Sequence, residues 1–111
     1  MIYASYYNQE TKKYMTIELT DENKAKYEKD SIEHDTLIPF KEIQFAVANT
    51  SIYNKNIENG ELKVIICKDC KKSFSMDKKE MDWYADKNYK LPVRCPLCRQ
   101  KRKKEKEKTN Q

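Results

Sequence analysis

Glycine occurs once in 111 residues, at Gly60. A loop that cradles phosphate with its backbone needs several glycines within a few positions, so nucleotide binding of that type is excluded. Histidine also occurs once, at His34. One imidazole cannot supply a nucleophile, its base and an orienting partner. A zinc-dependent deaminase is excluded on residues, because it needs an H-x-E element and a proline before its C-x2-C pair. Here His34 is followed by Asp35 and Thr36, and Arg94 precedes Cys95. The expectation is a protein that is not an enzyme and has no small-molecule substrate, with His34 as a surface loop residue. Apolar runs of membrane-spanning length, about 20 residues, are missing. The opening "MIYASYYNQE" has no basic start, apolar middle or small-residue cleavage site. The expectation is a soluble, cytoplasmic protein with no membrane partner.

Arginine is missing from the first 93 residues; Arg94, Arg99 and Arg102 all lie near the end. Charge is correspondingly uneven. Residues 1–60 carry 7 basic and 10 acidic side chains, net −3, and residues 61–93 are net +2. Residues 94–111 carry 8 basic and 2 acidic side chains, net +6, which exceeds the whole chain's +5. Hydrophobic residues are 38% and charged residues 37%. That balance supports a small core only, and a chain of this kind ordinarily needs a metal or disulfide staple.

The pattern along the chain predicts an α+β protein. "IYASYYN" and "KYMTIEL" read as a β-hairpin, with Met15, Ile17 and Leu19 alternating with Tyr14, Thr16 and Glu18 to bury one face. A short exposed helix follows, capped by Thr20. "SIEHDTLIP" reads as a loop, and Pro39 as the start of a helix in which Phe40, Ile43, Val47 and Ser51 share a face, with a strand at "IQFAVAN" as the rival. "NKNIENG" marks a boundary between an N-terminal module (1–60) and the segment after it, which opens with the strand "ELKVII". A helix is expected after Asp77. Asp77 and Glu80 make a capping box, Met76 and Met81 a hydrophobic staple, and Asn88 a left-handed stop.

The four cysteines form two C-x2-C pairs, Cys67/Cys70 and Cys95/Cys98, with 24 residues between them. Each pair can point two thiolates at one place, and two pairs complete a tetrahedron around Zn²⁺. Four thiolates leave no open position for water, so the site is structural. A redox dithiol is the alternative, but neither pair sits at the strand-to-helix step of a βαβ unit as that chemistry requires.

The segment "CKDCKKSFSMDKKEMDWYADKNYKLPVRCPLCRQKRK" resembles the zinc-ribbon domain family of short prokaryotic and phage proteins. Cys67, Cys70, Cys95 and Cys98 match its ligands. Phe74, Glu80 and the aromatic pair Trp83–Tyr84 match its interior, Lys87 and Tyr89 its turn, and Pro92, Arg94 and Arg99 its closing motif. The resemblance covers about residues 62–104. It implies a four-cysteine zinc ribbon over 61–100 with an inserted short helix, and no established activity. Two departures stand out. The family carries Gly after the second cysteine and in the turn, where this chain has Lys71 and Asn88. Asn tolerates the left-handed conformation that Gly takes there; Lys does so less readily, so strain is expected in the first knuckle.

The basic tail over 101–111, helical or disordered, has two readings. Charge runs commonly do no more than solvate a helix end. Alternatively Arg94, Arg99, Lys101, Arg102, Lys103 and Lys104 contact the phosphates of DNA or RNA around a rigid zinc knuckle. Tyr3, Tyr6, Tyr7 and Tyr14 on the hairpin could stack on bases, but packing a half-buried sheet is the ordinary role for such residues. The net-acidic N-terminal module supports a further alternative, a protein–protein adaptor or inhibitor that does not touch nucleic acid.

Overall fold

In the computed structural model, which describes residues 1–109 and side chains as far as Lys104, the chain begins with the expected hairpin. β1 (Ile2–Asn8) and β2 (Lys13–Leu19) pair antiparallel, with Tyr6 opposite Met15 and Tyr7 opposite Tyr14. Asn8 organises the turn: its side-chain oxygen accepts from the backbone N–H of Glu10 at 2.8 Å and of Thr11 at 3.3 Å. α1 (Lys24–Glu28) is the short helix that was expected. Its entry differs from the sequence reading: Asn23, not Thr20, holds the capping position, and the two residues exchange hydrogen bonds just before it.

Pro39 does not start a helix. It lies in β3 (Leu37–Phe40), which pairs with β1 and forms an edge of the sheet, order β2-β1-β3. A proline has no N–H to donate, and an edge strand is where that loss is tolerated. The helix, α2, begins later at Ile43 and runs to Glu58, through most of the "NKNIENG" stretch read as turn. Its end falls at Asn59 and the left-handed Gly60 (φ 76°).

The buried face of α2 is also not the expected one. Ile43 and Val47 are about half exposed, while Ala46 is fully buried. Ala46, Thr50 and Asn54, at helical spacing, face the sheet because the sheet is polar on that side. Ser5 Oγ donates to the Ala46 carbonyl at 3.0 Å, and Thr50 Oγ1 lies 2.9 Å from both Ser5 Oγ and Thr16 Oγ1. Asn54 pairs with Tyr14 as a neighbouring strand would: its oxygen accepts the Tyr14 N–H at 2.7 Å and its amide donates to the Tyr14 carbonyl at 3.0 Å. These contacts satisfy the outer edge of β2. The hairpin therefore buries both faces, where the alternation in β2 predicted one. Ala4, Tyr6, Ile17 and Leu37 form the core on the side away from α2.

β4 (Leu62–Ile66) and β5 (Ser73–Asp77) form a second antiparallel hairpin. β5 was not foreseen, although Phe74 and Met76, both buried, alternate with Ser75 and Asp77. α3 (Lys78–Asp86) starts as expected, with Asp77 Oδ1 accepting from the Glu80 N–H at 2.8 Å. It ends with Asn88 in the left-handed region (φ 59°). α4 (Pro96–Thr109) follows, so the tail is helical as far as Thr109; residues 110–111 lie outside the described residues.

The two hairpins are tied by the loop before β3. Ser73 donates from its N–H to the Asp30 carbonyl at 2.8 Å, and Thr36 Oγ1 donates to the Ser73 carbonyl at 2.9 Å. The Asp35 carboxylate accepts from the Ser75 N–H at 2.9 Å and from the Ser75 hydroxyl. Ile32 packs onto the second core, formed by Cys67, Phe74, Met76 and Cys95.

Candidate metal centre

Cys67 directly follows β4 and Cys70 lies in the turn to β5. The turn is closed by Cys67 N–H to the Lys72 carbonyl at 2.8 Å and Lys71 N–H to the Cys67 carbonyl at 3.0 Å. Such a tight reversal needs one residue in the left-handed region, and Lys71 is that residue (φ 66°). The strain expected at this position is therefore located. Cys95 and Cys98 are placed differently. Pro96 is the first residue of α4, where its missing N–H costs nothing, and Cys98 sits in the first turn. The N-terminal dipole of α4 favours negative charge on both of these sulfurs.

The four Sγ atoms lie within 4.8 Å of one another, and those of Cys70 and Cys95 are 3.7 Å apart. A disulfide would hold two sulfurs at about 2.05 Å. A tetrahedron with metal–sulfur bonds of about 2.3 Å has edges of about 3.8 Å. The spacing fits four thiolates around one metal ion, and all four cysteines are free. Cys67 and Cys95 are buried, while Cys70 and Cys98 are nearer the surface.

Burial pushes the Cys67 thiol up, but backbone N–H groups of Cys70, Cys95 and Asp69 outweigh it and bring the thiol down to about 6. Cys98 moves the other way, to about 12, chiefly through its hydrogen bond with Cys95 and then burial. One sulfur is thus readied as an anion, while its neighbours resist becoming further anions beside it. A divalent cation removes that conflict by stabilising all four thiolates.

The surroundings brace the two pairs. Lys68 donates its N–H to the Val93 carbonyl at 2.9 Å, and Arg94 Nε meets Asp69 at 2.9 Å. Of the six residues expected to contact phosphate, Arg94 is therefore tied into the site. Arg102 lies 3.8 Å from the same carboxylate but stays largely exposed. Arg99 donates to the Tyr84 hydroxyl at 3.0 Å. Lys101 and Arg102 border a hollow of about 260 Å³ beside Asp69, Cys70 and Cys98. Lys103 and Lys104 are exposed further along α4. Helical spacing puts Arg99, Arg102 and Lys103 on one side and Lys101 and Lys104 on another, so the cations surround the helix instead of forming one stripe. His34 is exposed, 3.8 Å from Glu33, and is not part of the cluster.

A hairpin turn bearing one cysteine pair, followed by a helix whose first turn bears the other, defines a treble clef metal-binding domain. The comparisons agree: residues 63–107 match a family described as a probable treble clef domain. A C-terminal domain with a four-cysteine cluster thus lies where the sequence led us to expect one, and its topology is specified further. In a ribbon both pairs would lie in hairpin turns; here the second opens α4. No curated protein and no solved structure matches the chain.

Proposed function

We propose that this is a non-catalytic, cytoplasmic zinc protein that associates with nucleic acid as an accessory factor, with the four-cysteine domain and its basic helix α4 contacting phosphates. Zinc is the ion of choice for four thiolates at tetrahedral spacing, and a filled sphere leaves it a structural role. The observation that carries the nucleic-acid reading is that Cys95 and Cys98 begin the helix that bears Arg99, Lys101, Arg102, Lys103 and Lys104. The metal fixes the direction of a cationic rod, and the rest of the chain is close to neutral. Such contacts give affinity without sequence preference. The test is binding of the zinc-loaded chain to labelled DNA and RNA duplexes across a salt series. About five phosphate contacts on duplex DNA give a log–log slope of about −4 to −5. Replacing Lys101, Arg102, Lys103 and Lys104 by Ala should flatten it by about three to four. A salt-independent response would remove the reading.

A second reading, a protein-binding adaptor, is favoured by one other feature. A groove beside α1 has Leu19, Leu37 and Pro39 among its lining and Asp21, Glu28 and Glu33 among its acidic groups. Glu28 and Glu33 also border an adjoining hollow of about 460 Å³ that reaches Cys70, Cys95 and Cys98 and includes Ser31, whose buried hydroxyl has no partner. Its chemistry suits an apolar segment carrying a Lys or Arg. Pull-down from a lysate with and without nuclease separates the two readings.

A further inference from the structure

The hairpin tyrosines cannot stack on a ligand, since Tyr6, Tyr7 and Tyr14 are 7%, 7% and 3% exposed. The aromatic surface of this protein is elsewhere. Trp83, the only tryptophan, is 52% exposed and Tyr89 is 61% exposed. Trp83 lies in α3, and Tyr89 follows the turn that ends it. Met81 and Tyr84 pack onto the core that holds Cys67 and Cys95, which turns Trp83, between them in sequence, outward. The left-handed Asn88 reverses the chain so that the Tyr89 N–H donates to the Tyr84 carbonyl at 2.9 Å. The Tyr89 ring then lies 6.1 Å from Trp83, and Tyr84 braces Trp83 edge-on at 5.0 Å.

We infer that Trp83 and Tyr89 form a base-stacking platform for single-stranded nucleic acid. The inference rests on the nucleic-acid reading above and names its substrate class. Large aromatic rings left open on a rigid helix and its cap offer flat apolar area with little ordering cost, which is what an unpaired base needs. In a duplex those base faces are already stacked on one another, so rings of this kind discriminate against it. The charge around the platform is mixed: Lys79 and Lys87 lie one turn either side of Trp83, Lys90 follows Tyr89, and Glu80 and Asp86 flank the same row. Attraction for phosphate must therefore come from α4, and the connection exists. Arg99 of α4 donates to Tyr84, the ring that braces Trp83. A strand whose phosphates follow α4 can lay bases on Trp83 and Tyr89.

The single tryptophan makes the test direct. The zinc-loaded full chain is titrated with a short oligothymidylate and with a duplex of equal length, following tryptophan emission and the anisotropy of a labelled strand. Emission is expected to be quenched by the single strand, and Trp83→Ala and Tyr89→Ala each to weaken single-strand binding on the order of 5- to 150-fold while duplex binding holds. Trp83→Phe should recover part of the loss, which a purely structural role on an exposed face would not produce. Saturating single-strand binding with unchanged emission in the wild type overturns the platform but leaves the phosphate reading standing. Failure of both nucleic acids to bind overturns the two together.

Discussion

Lys71 occupies a backbone conformation that a lysine enters at a cost, and relieving it should strengthen the turn that carries Cys67 and Cys70. The left-handed region costs a residue with a Cβ about 1–2 kcal/mol. Glycine avoids that, but loses more chain entropy on folding, about 0.5–1 kcal/mol. The Lys71 side chain is exposed and takes part in none of the described salt bridges, so its removal loses little else. Lys71→Gly is therefore expected to stabilise the zinc-loaded protein by about 0.5–1 kcal/mol, a rise in Tm of about 2–6 °C for a chain of this size. Lys71→Asn should fall between glycine and wild type, and Lys71→Val below wild type, because a branched Cβ fits this region worst. Thermal melts of the four proteins at equal excess zinc give the order directly. Lys71→Gly melting at or below wild type, with Lys71→Val alongside it, would refute the reasoning, because the turn would then carry no strain for glycine to relieve.

Two of the four residues in the second core are candidate metal ligands, so a strong chelator should abolish the NMR dispersion of residues 62–99; binding energy on the order of 10–16 kcal/mol exceeds what so small a core supplies. Unchanged spectra would show that metal is not holding this part. Asn54→Ala removes both hydrogen bonds to Tyr14 and leaves a buried edge unsatisfied, so a loss of about 2 kcal/mol is expected in urea denaturation. Asp35→Ala should cost a similar amount, about 2 kcal/mol, and its chemical-shift changes should appear in both hairpins, because Asp35 joins the loop before β3 to Ser75. The pH dependence has a definite sign. Burial raises the phenols of Tyr6, Tyr7 and Tyr14 above their ordinary value. The unfolded chain releases those protons near pH about 10, whereas the folded chain holds them. Stability is thus complete below that pH and falls as pH rises through it. Far-UV circular dichroism followed with tyrosinate absorbance checks this; tyrosines that ionise at the ordinary value with the fold intact would contradict it.

The parts of the fold legible in the sequence are those set by local chemistry. The Asp77 cap, the Met76 and Met81 staple, the Asn88 stop and the left-handed demand on Lys71 each depend on residues within a few positions of one another. The pairing of β1 with β2 was legible for the same reason. What failed involved partners distant in sequence. Pro39 reads as a helix start until β1 is known to lie on one side of it only. Ile43 and Val47 read as the buried face of α2 until the sheet beneath is seen to present Ser5 and Thr16, which select Ala46, Thr50 and Asn54. Met76 reads only as a staple residue of the following helix until β4 pairs with β5.

By itself the sequence determined that four cysteines in two pairs could converge on one metal ion, since two-residue spacing brings paired thiolates together in any local geometry that reverses the chain. It also determined where the positive charge begins. Only the tertiary structure decided that the second pair opens a helix, and so that a metal held by the four cysteines would fix the start of α4. It decided too that Arg94 spends its charge on Asp69, and that the rings left in the open are Trp83 and Tyr89 and not the hairpin tyrosines. The reason is common to all three: which face of an element is covered depends on what packs against it, and that partner lies tens of residues away along the chain.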